Sequence, residues 1–487
     1  MPQRVTLGQL PPHSQVAGLR RRQLSFPEVL AQSVSALAPS AAVVTIPSIV
    51  LVRSGAATLP AFAAATGLVL LVGWSLTHFG RRMAAVGGIY SYTAKGLGPI
   101  GALLGGWALV IGYATVAMAS LVGAVLYLAS VAGLSASPPV VAGLGVLVGA
   151  AAVLCTVRGI QLSARVALGL EVVSISLVLV VLVVLLLAPH AGDGTAAPVV
   201  DGGVHWGGVA LGVVLGVAVF MGFESAATLG VEAKRPLISV PRAVLWTPVA
   251  VGVLFIAAAA AQVVVLRRAP LDVLTSTVPV AELAGRQGMW WLASLLDVGI
   301  AASFFACIIG STNALARVLF SMGREGALPR ALGRTHPRFE TPHVALTAVL
   351  PAVAGVPLIL LGAGADPLAV FTGLLTVSAF GYVVAYLLAC LAMPVFLHRI
   401  GELTWPTLVA GVTAGGLLFG VLAVAVVGAS MSGGGMGLVF ASTMAPALGW
   451  LWLLRYRAPR RWNAVGVYDQ ATTGSVLPGS IPDERTR

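Results

Sequence analysis

The chain reads as an all-α polytopic membrane protein with twelve transmembrane helices. The first ten form two five-helix repeats of opposite orientation, and the last two are an appendix. Three observations predict this. Of 487 residues, 58% are hydrophobic and 9% charged, where a soluble domain carries about 25% charged residues, and mean hydropathy is +0.98. Twelve stretches are apolar over the roughly 17–25 residues that a helix needs to cross a bilayer. The first and sixth of these are interrupted, at Ser35-Ala36-Leu37-Ala38-Pro39-Ser40-Ala41-Ala42 and at Phe220-Met221-Gly222-Phe223-Glu224-Ser225. A break at bilayer depth leaves backbone N–H and C=O groups that lipid cannot satisfy, so it must face protein or a polar cavity. The breaks lie five spans apart, and five is odd, so the second repeat enters from the other side. The halves share no clear residue-level similarity; the repeat rests on the break positions and the span count.

The expected spans are Val29–Val52, Leu59–Phe79, Ile100–Val131, Pro139–Val157, Val166–Leu187, Val209–Val231, Ala243–Leu266, Trp290–Ala316, Val344–Leu361, Leu368–Val395, Pro406–Val427 and Leu438–Leu454. With the N-terminus inside, 24 of the 28 Lys and Arg fall on the inner side; Arg53, Arg267, Arg268 and Arg286 fall outside. That asymmetry places both termini in the cytoplasm and the protein in the cytoplasmic membrane. The net charge of +12 is then a topology signal with some attraction to anionic lipid, and not a nucleic-acid footprint.

Residues 1–24 and 456–487 read as disordered cytoplasmic tails, 25–395 as the core and 396–455 as the two added spans. The longest outer loops are Pro189–Gly208 and Arg267–Met289, and the longest inner loop is Arg317–His343. No apolar core precedes the first span as a cleavable signal would require. Cys155, Cys307 and Cys390 lie in three different spans and read as small apolar packers. The seven histidines are scattered. Nothing suggests a metal site, a cofactor or an enzyme.

The breaks form the candidate binding site, since paired interruptions at equivalent places in two repeats point to a transporter's substrate. Pro39 is expected to end the first half-helix of span 1. The second half then starts near Ser40, and the N–H groups of Ser40, Ala41, Ala42 and Val43 offer the positive end of a helix dipole to a carboxylate. In span 6 the first half is expected to end around Val219, Phe220 and Met221 with carbonyls free for an ammonium group, while Gly222 supplies flexibility. Ala218, Phe220 and Phe223 make the surroundings apolar. One anion end and one cation end at the midplane match an α-amino acid. Either break alone is equally well explained as a kink that serves packing. Glu224 is either a cap of the second half-helix or a gate or proton-sensitive group beside the substrate.

Several stretches resemble the amino acid–polyamine–organocation superfamily of transporters. These are Gly87-Gly88-Ile89-Tyr90-Ser91-Tyr92 with Gly98-Pro99 and Gly106-Trp107; Gly222-Phe223-Glu224 with Glu232-Ala233-Lys234-Arg235-Pro236 and Ile238 through Ala243; and Arg317 through Pro329 with His336-Pro337-Arg338 and Thr341-Pro342. Each is weak alone; in this order, at the inner ends of the right spans, they are specific. The resemblance covers residues 25–455. It implies the leucine-transporter-type 5+5 fold, alternating access, and an amino acid or amine held between spans 1 and 6 and flanked by spans 3, 8 and 10. The chain departs from it in two places. Pro39-Ser40-Ala41-Ala42 replaces a Gly-Ser-Gly-like run, and Ser174 stands where some proton-coupled members carry a Lys.

Glu171, expected near the cytoplasmic end of span 5, is a candidate proton carrier; the alternative is a carboxylate paired with Arg165 or with backbone N–H. Sodium would need several oxygens from spans 1 and 8, and Ser303 is the only hydroxyl near the expected level of span 8, so proton coupling ranks above sodium, with obligate exchange equally open. Asp297 lines an outer vestibule or pairs with a neighbour. Arg317, Arg324, Arg330 and Arg334 read as inner-face anchors or functional cations. The apolar surroundings favour a neutral amino acid, bulky ones included. If Glu224 or Asp297 faces the substrate, a cationic amino acid or polyamine fits. A channel would need a continuous polar lining, which these spans lack, and a ligand sensor would need more than short tails.

Overall fold

A computed structural model describes residues 18–134, 137–187, 206–266, 269, 273, 279–431, 435–462 and 465–466. Arg267, Arg268, both chain ends and most of the two long outer loops lie outside the described residues. Twelve helices are long and apolar enough to cross a membrane: Phe26–Ser54, Thr58–Gly80, Ile89–Val131, Pro138–Val157, Ile160–Leu187, Gly207–Leu229, Pro236–Leu266, Trp290–Arg324, His343–Gly362, Pro367–Arg399, Trp405–Ser430 and Met436–Arg457. They are spans 1 to 12 below. The architecture is the leucine-transporter-type 5+5 arrangement plus two helices.

The helices overrun their apolar stretches, mainly on the face where both chain ends emerge. Span 3 starts at Ile89, eleven residues before the apolar run. Gly98 bends it there with a left-handed φ of +72°, ahead of Pro99. Span 8 continues to Arg324, so Arg317 is helical and not in a loop. Hydropathy finds where lipid begins, whereas helices continue as long as their polar ends find partners.

Spans 3 and 10 pack along most of their length, and span 8 packs on span 3. Small residues permit the approach: a Cβ at Gly381 would stand 2.5 Å from the Ala108 carbonyl oxygen, and one at Gly96 would stand 2.3 Å from that of Ala392. Span 12 joins through Trp107 Nε1–H, which donates to the Thr443 carbonyl at 2.8 Å.

Residues 18–24 are ordered, contrary to the expected tail. Gln23 and Leu24 N–H donate to the Glu232 carbonyl at 2.7 and 2.9 Å, and Lys234 N–H donates back to Leu24 at 2.9 Å. The segment after span 12 also packs. Pro459–Trp462 is helical, and Gly466 N–H donates to Glu325 Oε2 at 2.8 Å. The same oxygen accepts the Tyr90 hydroxyl at 2.5 Å. Close by, Arg317 grips Glu232 with Nε and Nη2 at 2.6 and 2.9 Å, and its Nη1 donates to the Asn313 carbonyl at 2.9 Å. Arg317 and Glu232 side chains are only 1% and 2% exposed, which rules out a solvated anchor.

Removing one partner of a buried pair leaves the other charge uncompensated. Arg317→Met is therefore expected to lower unfolding stability by about 3–5 kcal/mol, and Arg317→Met with Glu232→Leu by much less. Thermal unfolding of the detergent-solubilised protein measures both.

Candidate functional site

Span 1 breaks where expected, with different punctuation. Its first half-helix ends at Ser35 and the second begins at Pro39. Pro39 thus opens the second half instead of closing the first; at a first helical position its missing N–H removes nothing the helix would use. Ala38 makes the turn in left-handed conformation at φ +48°. Leu37 and Ala38 N–H close short turns onto Val34 and Ser35, and Ala42 N–H reaches the Ala38 carbonyl. The N–H groups of Ser40 and Ala41 have no partner among the described residues, and the buried Ser40 hydroxyl has none either. Of the four donors expected here, Ala42 is thus engaged, and Val43 lies one residue further into the helix. The Val43 carbonyl accepts Gln262 Nε2 at 2.5 Å, which ties this half to span 7.

Span 6 is helical over Trp206–Ala218, broken over 219–222, and resumes as a 3-10 helix over Phe223–Leu229. The carbonyls of Phe220 and Gly222 accept turn hydrogen bonds, whereas those of Val219 and Met221 accept none from the described residues. Gly222 has φ +103°, and a Cβ on it would stand 2.8 Å from the Ala36 carbonyl oxygen. The two breaks therefore touch backbone to backbone, which only glycine allows.

Side chains of spans 1, 6 and 8 tie these segments together and meet some of the freed backbone groups. Gln32 Nε2 donates to the Gly310 carbonyl at 2.7 Å, and the Gln32 carbonyl accepts Ser225 Oγ at 2.9 Å. Ser33 Oγ accepts Ala226 N–H at 3.2 Å. Cys307 Sγ lies 3.4 Å from the Ala36 carbonyl, so this cysteine serves the break and is more than an apolar packer.

Glu224 is 1% exposed and is gripped from two other spans. Tyr113 of span 3 donates to Oε1 at 2.6 Å, Tyr386 of span 10 donates to Oε2, and the Tyr386 oxygen accepts Gly222 N–H at 2.9 Å. Glu224 thus joins spans 3, 6 and 10 through hydroxyls, which the capping alternative did not foresee. Tyr382, edge-on to Tyr113 with ring centroids 5.2 Å apart, is fully buried with an unpartnered hydroxyl. Three tyrosines around one carboxylate were invisible in the sequence, because they sit on two spans distant in the chain. Phe223 meets Tyr386 edge-on at 5.4 Å. Phe220 turns to Phe255 of span 7 at 5.1 Å. Ala218 is half-buried at the end of the first half-helix.

The other candidates form a separate cluster. Glu171 is 2% exposed and accepts Ser303 Oγ, 3.0 and 3.2 Å from its two oxygens. Arg165, its expected partner, instead donates to Glu28 at 2.9 Å. Because span 5 starts at Ile160, Glu171 lies eleven residues in, about 16 Å along the axis and hence near mid-depth. Ser174 Oγ donates to the Gly299 carbonyl at 2.5 Å. Asp297 accepts Ser130 Oγ at 2.7 Å; it pairs with span 3 and stays apart from Glu224.

Gly222→Ala is expected to cost about 1–3 kcal/mol through backbone strain and to separate the breaks, abolishing ligand binding while circular dichroism stays helical. Tyr113→Phe leaves a buried carboxylate oxygen without its donor and should cost about 1–3 kcal/mol. Combined with Glu224→Gln, the losses should be non-additive in a thermal double-mutant cycle.

The chain is similar to several known proteins. A transporter of Mycobacterium tuberculosis (strain H37Rv) described as uncharacterized is 29% identical over 346 residues, covering 68% of this chain and 72% of its own. The branched-chain amino acid permease BcaP of Bacillus subtilis is 25% identical over 357 residues, with the same shares. Among solved structures, a mutant of the Eremococcus coleocola manganese transporter superposes with a TM-score of 0.58 at 13% identity, covering 89% of this chain and 95% of that one, a likeness of fold. The amino acid permease family matches residues 24–454, and the chain is a member of that family, a multi-pass membrane transporter of amino acid permease type.

Proposed function

We propose that this permease is a secondary active transporter of neutral amino acids in the cytoplasmic membrane, with both termini cytoplasmic, working by alternating access. The observation that carries the reading is the pairing of free backbone groups at touching breaks: N–H of Ser40 and Ala41 on one side, C=O of Val219 and Met221 on the other. The donors receive the substrate carboxylate at the positive end of a helix, worth about 0.3–1 kcal/mol from the dipole alone. The acceptors receive the ammonium group. The unpartnered hydroxyls of Ser40 and Tyr382 are the remaining polar contacts.

Both oxygens of Glu224 are engaged by tyrosines, which leaves a neutral side chain the best fit, as the name of the Bacillus relative suggests. Glu171 is the proposed proton carrier. It is buried, its hydrogen-bond partner among the described residues is the Ser303 hydroxyl, and protonation there would change the contact between spans 5 and 8.

Uptake into proteoliposomes tests this. Labelled branched-chain amino acids should accumulate under an inward proton gradient. Ala41→Phe, which fills the first break, should bind and transport none of them while remaining folded. Glu171→Gln should lose accumulation yet retain counterflow exchange; accumulation at the wild-type level would remove Glu171 from the coupling. Uptake that requires preloaded amino acid in the wild type would make the protein an exchanger.

A further inference from the structure

An apolar groove of about 240 Å³ lies between spans 3, 8 and 9. We propose that it binds an anionic glycerophospholipid of the inner leaflet, with one acyl chain in the groove and the phosphate on Arg330 and Arg334. The inference is independent of which substrate the permease carries.

The groove is lined by Val110 and Ala114 of span 3, Leu319 of span 8, Ala348 and Ala352 of span 9, and Leu332 of the loop between spans 8 and 9. Every lining side chain is aliphatic. The alanines of span 9 are exposed, so the groove opens sideways to the bilayer, and their small size creates the gap. They lie five and nine residues beyond the helix start at His343, about 8–14 Å deep, within the acyl region of one leaflet.

What distinguishes this groove from an ordinary lipid-facing crevice is its polar end. Leu332 belongs to the single 3-10 turn Arg330–Gly333, and Arg334 caps that turn. Arg330 and Arg334 are exposed, and neither guanidinium has an ion pair or hydrogen bond with a described residue. The acid in the following loop, Glu340, is engaged by Arg20 at 3.1 Å, so it does not neutralise them. Guanidinium groups match phosphate oxygens bidentately, and basic sites beside transmembrane helices on the cytoplasmic side bind anionic head groups. An amphiphile with a phosphate and an alkyl chain uses both ends of the site. A neutral lipid would leave the arginines unused.

The test uses full-length protein in detergent, titrated with dioleoyl phosphatidylglycerol or dioleoyl phosphatidylcholine and read by native mass spectrometry. Phosphatidylglycerol is expected to be retained at one molecule per chain in preference to phosphatidylcholine. Arg330→Gln with Arg334→Gln should weaken it by about thirtyfold, from about one kcal/mol per arginine. Ala352→Trp, which fills the groove from its exposed side, should remove the retained lipid. It should also remove cross-links from an acyl-diazirine phosphatidylglycerol to the peptide around Ala348 and Ala352. Retention unchanged in both variants, or cross-links spread evenly over the lipid-facing spans, would overturn the proposal. A wild-type dimer dissociated by Ala352→Trp would also overturn it, assigning the groove to a second copy. The arginine variant alters only an exposed turn, so the charge arm stands even if the tryptophan variant misfolds.

Discussion

A peptide group without a partner in hydrocarbon costs several kcal/mol, and that constraint governs the centre of this protein. Interrupting two spans releases N–H and C=O groups that must be met locally. Ser33, Ser225, Cys307 and Tyr386 meet several of them. The interrupted spans are accordingly well buried among their neighbours, while span 12 is almost wholly peripheral. Among the described residues, those left unmet include two adjacent donors on span 1, Ser40 and Ala41, and two acceptors on span 6, Val219 and Met221. Such groups are free to meet a polar ligand without dedicated side chains.

A second demand falls on the face carrying the chain ends, where polar groups enter the bundle. The Arg317–Glu232 pair is fully buried, and such a pair gains little net stability over apolar packing. Its value lies in geometry: Asn313, Glu232 and the segment before span 1 are fixed relative to one another. Glu325 does similar work between Tyr90 and Gly466.

The sequence revealed the fold class, the twelve spans and the positions of both breaks, because hydropathy and Pro/Gly punctuation are local signals. Helix ends were legible only to within the apolar stretch, as Ile89 and Arg324 illustrate. The role of Pro39 is not legible locally: a proline can stop a helix or start one, and here it starts one because Ala38 adopts a left-handed turn. The partners of Glu171 and Glu224 were hidden altogether. Ser303 was named for its level in the membrane, but its contact with Glu171 spans 132 positions in sequence. Tyr113 and Tyr386 lie 111 and 162 positions from Glu224 and look like ordinary aromatics of apolar helices. Contacts between distant spans leave no periodic trace in one chain.

The hydrogen bonds between residues 23–24 and 232–234 join the lead-in to span 1 with the exit from span 6. Deeper in, Ser225 and Ala226 are tied to Gln32 and Ser33. Two cross-braces at different depths join the first half of span 1 to the second half of span 6 as one stiff pair. The free groups of Ser40, Ala41, Val219 and Met221 lie across the breaks, outside the braced segments. Any tilt of the braced pair would therefore bend the chain at 36–38 and at 219–222, and would be felt first by those groups.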